Sequence, residues 1–372
     1  MSVTCKDIID ILESIAPSYL AQDWDNVGLQ IGDAGSKVSK IMVCLDLSSG
    51  IVDEAVSQNI DMIITHHPLI FKPLKKITTE DSISRIISKL IKNDINLYCA
   101  HTNLDISTGG TSDYIAKLLQ LRRVKPLSYT YNEKYYKLVV FVPKHSVEDV
   151  RDAISMAGAG HIGNYSHCTF QTEGIGTFKP LEGANPYIGT IDSLEKVDEV
   201  RLESIVSGIK LNKVIDAMLE AHPYEEVAHD IIPLANKANR LGFGRIGYLD
   251  SPISLIGLAE TLKLKLKTNT LKIVGDMDKE IEKIAICTGS GADFIKDAYK
   301  NRCDCYITGD IKYHEAQYAA ELGLPVIDAG HYETENIICI PLKNRLKEEF
   351  EKKNYAVEVI NSNIDINPFK FI

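Results

Sequence analysis

Three places in the chain bring histidine and a carboxylate to the end of an apolar run. The first, Asp61 to Pro68, reads DMIITHHP and ends in two adjacent imidazoles. Neighbouring residues on a strand point to opposite faces, so His66 and His67 share one site only if the strand stops there and the backbone turns. Pro68 supplies that stop. The second run, Asn96 to Asp105 (NLYCAHTNLD), leads into His101 and Asp105, and the third, Pro325 to Glu335 (PVIDAGHYETE), leads into His331 and Glu335. If a helix begins just after Gly330, its pitch puts His331 and Glu335 on one face, about one turn apart. Imidazoles and carboxylates are ligands for divalent cations, and open α/β sheets gather their ligands at the carboxyl ends of the strands. Taken singly, each histidine also fits a solvated or hydrogen-bonded side chain. Three strand ends that all deliver His with Asp or Glu point instead to a metal site.

Such strand ends require a sheet to hold them. From Lys40 the pattern runs KIMVCLDLS, a helix from Gly50 to Asn59, DMIITHH, a helix from Asp81 to Asn93, INLYCAH, and a helix beginning near Gly110. Alternation of this kind implies parallel strands with right-handed crossovers. It resumes near residue 254 with a helix, the run KIAICTGSG, a helix from Ala292 to Lys300, CDCYITGD, a helix from His314 to Leu322, PVIDAGH, a long helix, and the closing strand YAVEVI. Between them, YYKLVVFVP, VEDVRDAISMAG, HCTFQTEGIGTFKP, VDEVRLESIVSG, LNKVIDAMLEAHP and VAHDIIPL read as βαββαβ, the order of a ferredoxin-like plait. The expected fold is therefore α/β, with two lobes of mainly parallel sheet (residues 1–127 and 236–372) around a cleft and an inserted plait (128–235).

Composition narrows the classes. The 372 residues are 45% hydrophobic and 25% charged, as in an ordinary globular protein, and are long enough for two or three domains. A net charge of −10 argues against a non-specific nucleic-acid binder, which needs a basic face. No run approaches 18 uninterrupted apolar residues, so no membrane span is expected. The N-terminal MSVTCKDIIDILESIAP carries acids within its apolar periodicity and reads as an amphipathic helix, not a secretory signal. The eight cysteines form no CxxC pair and several lie inside apolar runs, the usage of buried reduced thiols in a cytoplasmic protein.

Other motifs are secondary. GAGHIG (158–163) and GFGRIG (242–247) match GxGxxG but lack the strand-then-helix context of a dinucleotide site. TGSGADF (288–294) has that context, and fits either an anion-binding turn or a plain tight turn. WDNVGLQIG (24–32) fits a loop under an aromatic anchor, or a polar wall on the cleft through Asp25 and Asn26. In AHPYEEVAHD, His222, Glu225, Glu226 and His229 form either a second metal site or, fitting better at a helix end, a solvated or interface cluster. Asp310 and His314 in TGDIKYHEA reach the same edge as the main ligands, as supporting or acid/base groups, or with Asp310 as a helix cap.

Taken in order, WDNVGLQIG, ITHHPLIF, AHTNLD, GAGHIGNYSHCTF, AHPYEE, GFGRIG, TGDIKYHEA and DAGHYETE resemble the NIF-three-like family, also called GTP cyclohydrolase 1 type 2 homologues, along nearly the whole chain. The resemblance implies a dinuclear metal centre between two α/β lobes in a homohexamer built from trimers, and an insert like the PII and CutA plaits of longer bacterial members. Its ligand positions carry over onto His66, His67, Asp105, His331 and Glu335. Five such ligands for two ions leave coordination positions open, and without thiolate they suit Zn, Fe or Mn. The expected activity is a metal-dependent hydrolase in which metal-activated water attacks a nucleotide-type substrate, with His101 or His314 shuttling the proton. A phosphoesterase is one version of that chemistry. The alternative is a non-catalytic regulatory or metal-delivery protein with a sensing insert.

Overall fold

In the computed structural model, which describes residues 2–236 and 240–370, the first three α-helices start where the sequence supplies a capping oxygen. Thr4 and Asp7 form a capping box at α1 (Cys5–Ile15); after β1 (Gly28–Ile31) and β2 (Lys40–Cys44), the Ser48 side chain caps α2 (Ser49–Ser57). Beyond β3 (Met62–Thr65), Asp81 caps α3 (Ser82–Lys92). Each such oxygen takes an otherwise unpaired N–H of the first turn, which sets where the helix begins. The chain continues through β4 (Asn96–Cys99), α4 (Thr102–Ile106), α5 (Thr111–Leu118) and β5 (Arg122–Asn132). The insert holds β6 (Tyr135–Pro143), α6 (Val147–Ala157), β7 (Thr169–Phe178), β8 (Glu195–Ser207), α7 (Leu211–Ala221) and β9 (His229–Leu234). Then come β10 (Arg240–Ser254), α8 (Leu255–Leu266), β11 (Lys272–Val274), β12 (Glu280–Ser290), α9 (Ile295–Lys300), β13 (Cys305–Gly309) and α10 (Tyr313–Glu321). The chain ends with β14 (Val326–Asp328), α11 (His331–Glu335), α12 (Cys339–Lys353) and β15 (Glu358–Asn361).

Contacts divide the chain into one unit of Met1–Tyr131 with Leu241–Ile372 and another of Asn132–Arg240. The start of the second lobe, expected at 236, adjoins residues 237–239, which lie outside the described residues.

The first unit has two sheets. In one, ordered β1-β4-β3-β2-β15, the four strands from β4 to β15 are parallel and β1 joins β4 antiparallel. In the other, ordered β11-β14-β13-β12-β10-β5, only β12, β13 and β14 are mutually parallel, while β10 and β11 run antiparallel to their neighbours β12 and β14. The expectation of mainly parallel sheets thus holds for the first and is corrected for the second, which is mixed. The two halves of the sequence also exchange elements. Leu342, Leu346 and Phe350 of α12 pack with Ile41, Val43 and Ile64 of the first sheet, whereas Ile115 and Leu119 of the α5 region pack with Leu258, Leu262 and Ile284 of the second. Arg245 locks this exchange. Its buried guanidinium takes both oxygens of Asp113 at 2.6 and 2.7 Å and donates to the carbonyls of Gly242, Gly244 and Ser107, a bidentate pairing in which few donors are left over. GFGRIG lies within the strand β10.

The second unit is an antiparallel sheet ordered β7-β8-β6-β9, the βαββαβ order read from the sequence. Its core joins Leu138, Val140 and Leu202 of the sheet to Val150, Ile154 and Val214 of the helices. All eight cysteines are free, and all but Cys168 are buried. Among the described residues no helix is long and apolar enough to cross a membrane.

Candidate metal centre

Parallel strands β2, β3 and β4 deliver their carboxyl ends to one edge. At the end of β3 the amides of His66 and His67 both donate to the Leu45 carbonyl, at 3.1 and 2.9 Å. The ladder gives way to a turn, and so two adjacent side chains reach the same site, with ring centroids 5.1 Å apart. His101, just past β4, stands with its ring centroid 5.2 Å from His66 and 5.4 Å from His67. From the second sheet, β14 leads into α11, whose first turn puts His331 with its ring 5.4 Å from His67.

Every one of these rings has Nδ1 held by an oxygen. His66 Nδ1 lies 2.9 Å from the Ala100 carbonyl, His67 Nδ1 2.8 Å from Asp46, His101 Nδ1 2.9 Å from Asp25, and His331 Nδ1 2.7 Å from Asp310. Anchoring one nitrogen this way fixes the ring and aims the other, the arrangement that orients metal-binding histidines. A carbonyl can only accept, so His66 carries its proton on Nδ1 and keeps an electron pair on Nε2. That Nε2 is buried and has no hydrogen-bond partner. It faces Asp105 Oδ1 at 3.6 Å and Glu335 Oε1 at 4.0 Å. Burial holds the His66 pKa down against the pull of both carboxylates. A neutral nitrogen lone pair opposite two carboxylates fits a divalent cation and little else.

Glu335 is the centre of the cluster. Its side chain is 7% exposed, and Oε2 lies 2.9 Å from Nε2 of both His67 and His331. A Cβ on Gly289 would stand 2.0 Å from Glu335 Oε1, and Gly289 has φ +65, so only glycine leaves room for the carboxylate. His67 and His331 each have carboxylates at both nitrogens. Burial opposes charge on His67, but hydrogen bonds to Asp46 and Glu335 outweigh it and push its pKa up to about 10. The bond to Glu335, against burial and with help from Asp310, raises His331 to about 9. Burial would raise the Glu335 pKa, yet the paired imidazoles hold it well below the usual carboxylate range. Two groups have ligand atoms within 4.8 Å of one another, suited to a metal ion: His66 with His67 and His101, and His67 with His331 and Glu335.

The remaining sequence candidates fall into place around them. Asp105 Oδ1 accepts from Thr111 Oγ1 at 2.5 Å, which in turn accepts from Thr288 Oγ1 at 2.7 Å. Asp25 is fully enclosed, and besides His101 it takes the Thr102 amide and hydroxyl. Burial alone would raise its pKa, but these bonds lower it to about 2. Neither reading of WDNVGLQIG holds as expected: Asp25 is enclosed behind His101 and not on the cleft wall, Asn26 is exposed and donates to the Ile70 carbonyl, Trp24 is 57% exposed, and Gly28–Ile31 is an edge strand. His314 is not brought to the cluster; it is exposed on α10 and bonds Gln317 at 3.1 Å. TGSG is no anion cradle, because the Gly289 amide donates to Thr334 and the Gly291 amide to Thr308. His222 is neither a ligand nor solvated, being buried with both nitrogens engaged. Asp46, legible in the sequence only as the polar end of the run KIMVCLDLS, follows β2 at the same sheet edge as His66 and His67.

Beside the cluster, His67, Asp310 and His331 line a cleft of about 870 Å³ whose other walls include Leu271, Lys272 and Phe369.

Residues 3–368 match the family described as Duf34/NIF3 (NGG1p interacting factor 3). A Bacillus subtilis protein named GTP cyclohydrolase 1 type 2 homolog is 43% identical over 371 residues, spanning 100% of this chain and 99% of that relative. Among solved structures, a Bacillus cereus protein related to NIF3 superposes with a TM-score of 0.88 at 43% identity over 100% of both chains. A Staphylococcus aureus protein does so with a TM-score of 0.80 at 30% identity, over 100% of this chain and 99% of that one.

Proposed function

Because the chain belongs to the Duf34/NIF3 family, we propose that its histidine cluster is a dinuclear metal centre and that the protein is a metal-dependent hydrolase acting on a nucleotide-type substrate. The observation that carries this reading is Nε2 of His66, buried, unprotonated and without a partner between Asp105 and Glu335. An orphaned buried acceptor costs stability unless something binds it. His66, His67, Asp105, His331 and Glu335 would hold the ions, with Glu335 between the two groups and His101 beside the first. Divalent ions there would supply Lewis acidity, lowering the pKa of a water and drawing charge from a substrate oxygen.

The chain's own residues do the rest. Asp46, Asp25 and Asp310 keep the rings of His67, His101 and His331 from rotating. His101, with Nδ1 on Asp25, is set to hold or pass a proton at Nε2. The cleft offers the apolar walls of Leu271 and Phe369 for a ring, while the Lys272 ammonium at its edge is held by Asp328 at 2.9 Å. Mixed nitrogen and carboxylate donors without thiolate suit Zn, Fe(II) or Mn(II).

The test is reconstitution with each of those metals, followed by metal analysis and turnover on a panel of nucleotides and phosphoesters, with Glu335→Gln and His67→Ala as controls. About two metals per chain and turnover that both variants abolish are expected. One ion per chain overturns the dinuclear centre; turnover no faster than that of the variants overturns the hydrolase.

A further inference from the structure

The insert spends residues 179–194 on the connection between β7 and β8, where antiparallel neighbours need a hairpin of about two to five residues. Long connections of this kind are uncommon unless they bind something. This one helps to wall a cavity of about 420 Å³ with Phe178, Tyr187 and Tyr224 along it and Glu199, Glu225 and Glu226 among its lining. The rings stand together: Tyr224 is 5.7 Å from Phe178 in an edge-to-face arrangement and 6.3 Å from Tyr187, centroid to centroid.

The carboxylates are built in. Tyr224 donates its hydroxyl to Glu199 Oε1 at 3.0 Å. The Glu199 carboxylate lies over Gly176 of the opposing strand, 2.0 Å from where a Cβ would stand. Glu225 Oε1 accepts the Asn185 amide at 2.8 Å, tying the long connection to the turn after α7. Among the described residues, the single cation in the lining, Lys179, is already paired with Asp192 at 3.2 Å. His222, edge-on to Tyr224, has both nitrogens engaged.

We propose that this cavity binds a small organic cation, an ammonium head carried on an apolar body. Aromatic faces present negative charge to a cation, and carboxylates beside them add to it. An anion would meet three carboxylates and, among the described lining residues, no free cation. A bare metal ion would need several oxygens converging on one point, and among the described residues these carboxylates form no such group. A neutral apolar molecule would desolvate the carboxylates without replacing their water. The volume exceeds that of an ammonium group alone and falls within the roughly 300–1,000 Å³ of small-molecule sites, which is why an apolar body belongs to the ligand.

The experiment is isothermal titration of the full-length chain with three probes: choline, its uncharged carbon isostere 3,3-dimethylbutan-1-ol, and benzyltrimethylammonium. Saturable binding of both cations is expected, with choline at least ~10-fold tighter than the neutral alcohol and benzyltrimethylammonium tighter than choline. Glu199→Gln and Tyr187→Ala should each weaken benzyltrimethylammonium by ~5-fold or more. Tyr224→Phe, which keeps the ring and loses only the bond to Glu199, should weaken it less. Tyr187 lies on the connection and Glu199 on the sheet, so a folding defect in one variant leaves the other to report. Equal affinity for choline and its isostere, no saturable binding of either cation, or wild-type affinity in both Glu199→Gln and Tyr187→Ala would overturn the proposal. Metal content and turnover do not enter these readouts, so the hydrolase reading stands or falls separately.

Discussion

The strand-end cluster of His66, His67, His101 and His331 and the insert's group of His222, Glu225, Glu226 and His229 draw on the same residue types at similar density, and the two differ in what their nitrogens have left to give. In the strand-end cluster every Nδ1 is anchored to an oxygen. Nε2 is left to face the other rings and Glu335. In the insert, His222 donates from Nε2 to the Phe141 carbonyl at 3.0 Å and accepts the Tyr224 amide on Nδ1 at 3.1 Å. Nothing remains on His222 for a ligand, and His229, held at Nδ1 by the Val227 carbonyl at 2.9 Å, belongs to no group of converging ligand atoms among the described residues. A metal site is thus distinguished by an electron pair that the fold has declined to satisfy, held in place by a partner on the other side of the ring.

The largest effect expected from this contrast is at Glu335. Glu335→Gln keeps the shape but removes the charge that His67 and His331 both face, and should weaken metal loading by roughly 100-fold or more, beyond the 10–100-fold usual for groups that only orient a ligand. Glu225→Gln, the equivalent change in the insert, should leave metal content as it was. Metal analysis after dialysis against a chelator reads both. Equal metal content in the two variants would erase the distinction.

Next come the anchors. Asp46→Ala and Asp310→Ala free the rings of His67 and His331, and each should lower metal affinity by about 10–100-fold in a competition titration. Their asparagine versions keep an acceptor for Nδ1–H and should lose less. Unchanged affinity in both alanine variants would mean that packing, not the carboxylates, aims these rings.

In the insert the same logic predicts a cost in stability. His222→Ala leaves the Phe141 carbonyl and the Tyr224 amide without their partners, which should cost about 1–3 kcal/mol in urea unfolding with metal content unaffected. A loss of metal from this variant would break the comparison from the other side.

Much of the strand-end cluster was legible because apolar runs that stop at His, His-x-x-x-Asp and His-x-x-x-Glu each state both an element and its end. The insert's plait was legible for a related reason: its strands and helices differ in period and alternate cleanly. Sheet membership was not. β15 reads as any strand, and nothing local says that it pairs with β2 rather than with its neighbours in sequence. Of the anchors, Asp310 was legible as a supporting group at the ligand edge, whereas Asp46 gains its meaning only from an imidazole on the next strand, since a single Asp after a strand is common. TGSG misled because the acceptors that consume its amides, Thr308 and Thr334, come from other elements. His222 misled because its partner is a backbone carbonyl, which no sequence pattern marks.

The smallest effect is one of pH, and its sign follows from which rings are charged. His67 and His331, flanked by carboxylates, have their pKa values raised to about 10 and about 9, whereas burial lowers that of His222. In the metal-free protein the two raised groups contribute stability that is complete below the unfolded value near 6.5, and this is lost as pH climbs through about 9 to 10. A cation must displace the proton that each ring points at Glu335, so metal affinity moves the other way and strengthens over the same window. The gap in melting temperature between loaded and stripped protein should therefore widen from pH 6.5 to 9. At pH 7.5, titration calorimetry in buffers of different ionisation enthalpy should show about two protons released per chain on full loading. His222, already neutral, contributes none. Release of no protons would mean that His67 and His331 are neutral before metal arrives, and that the strand-end cluster differs from the insert in geometry alone.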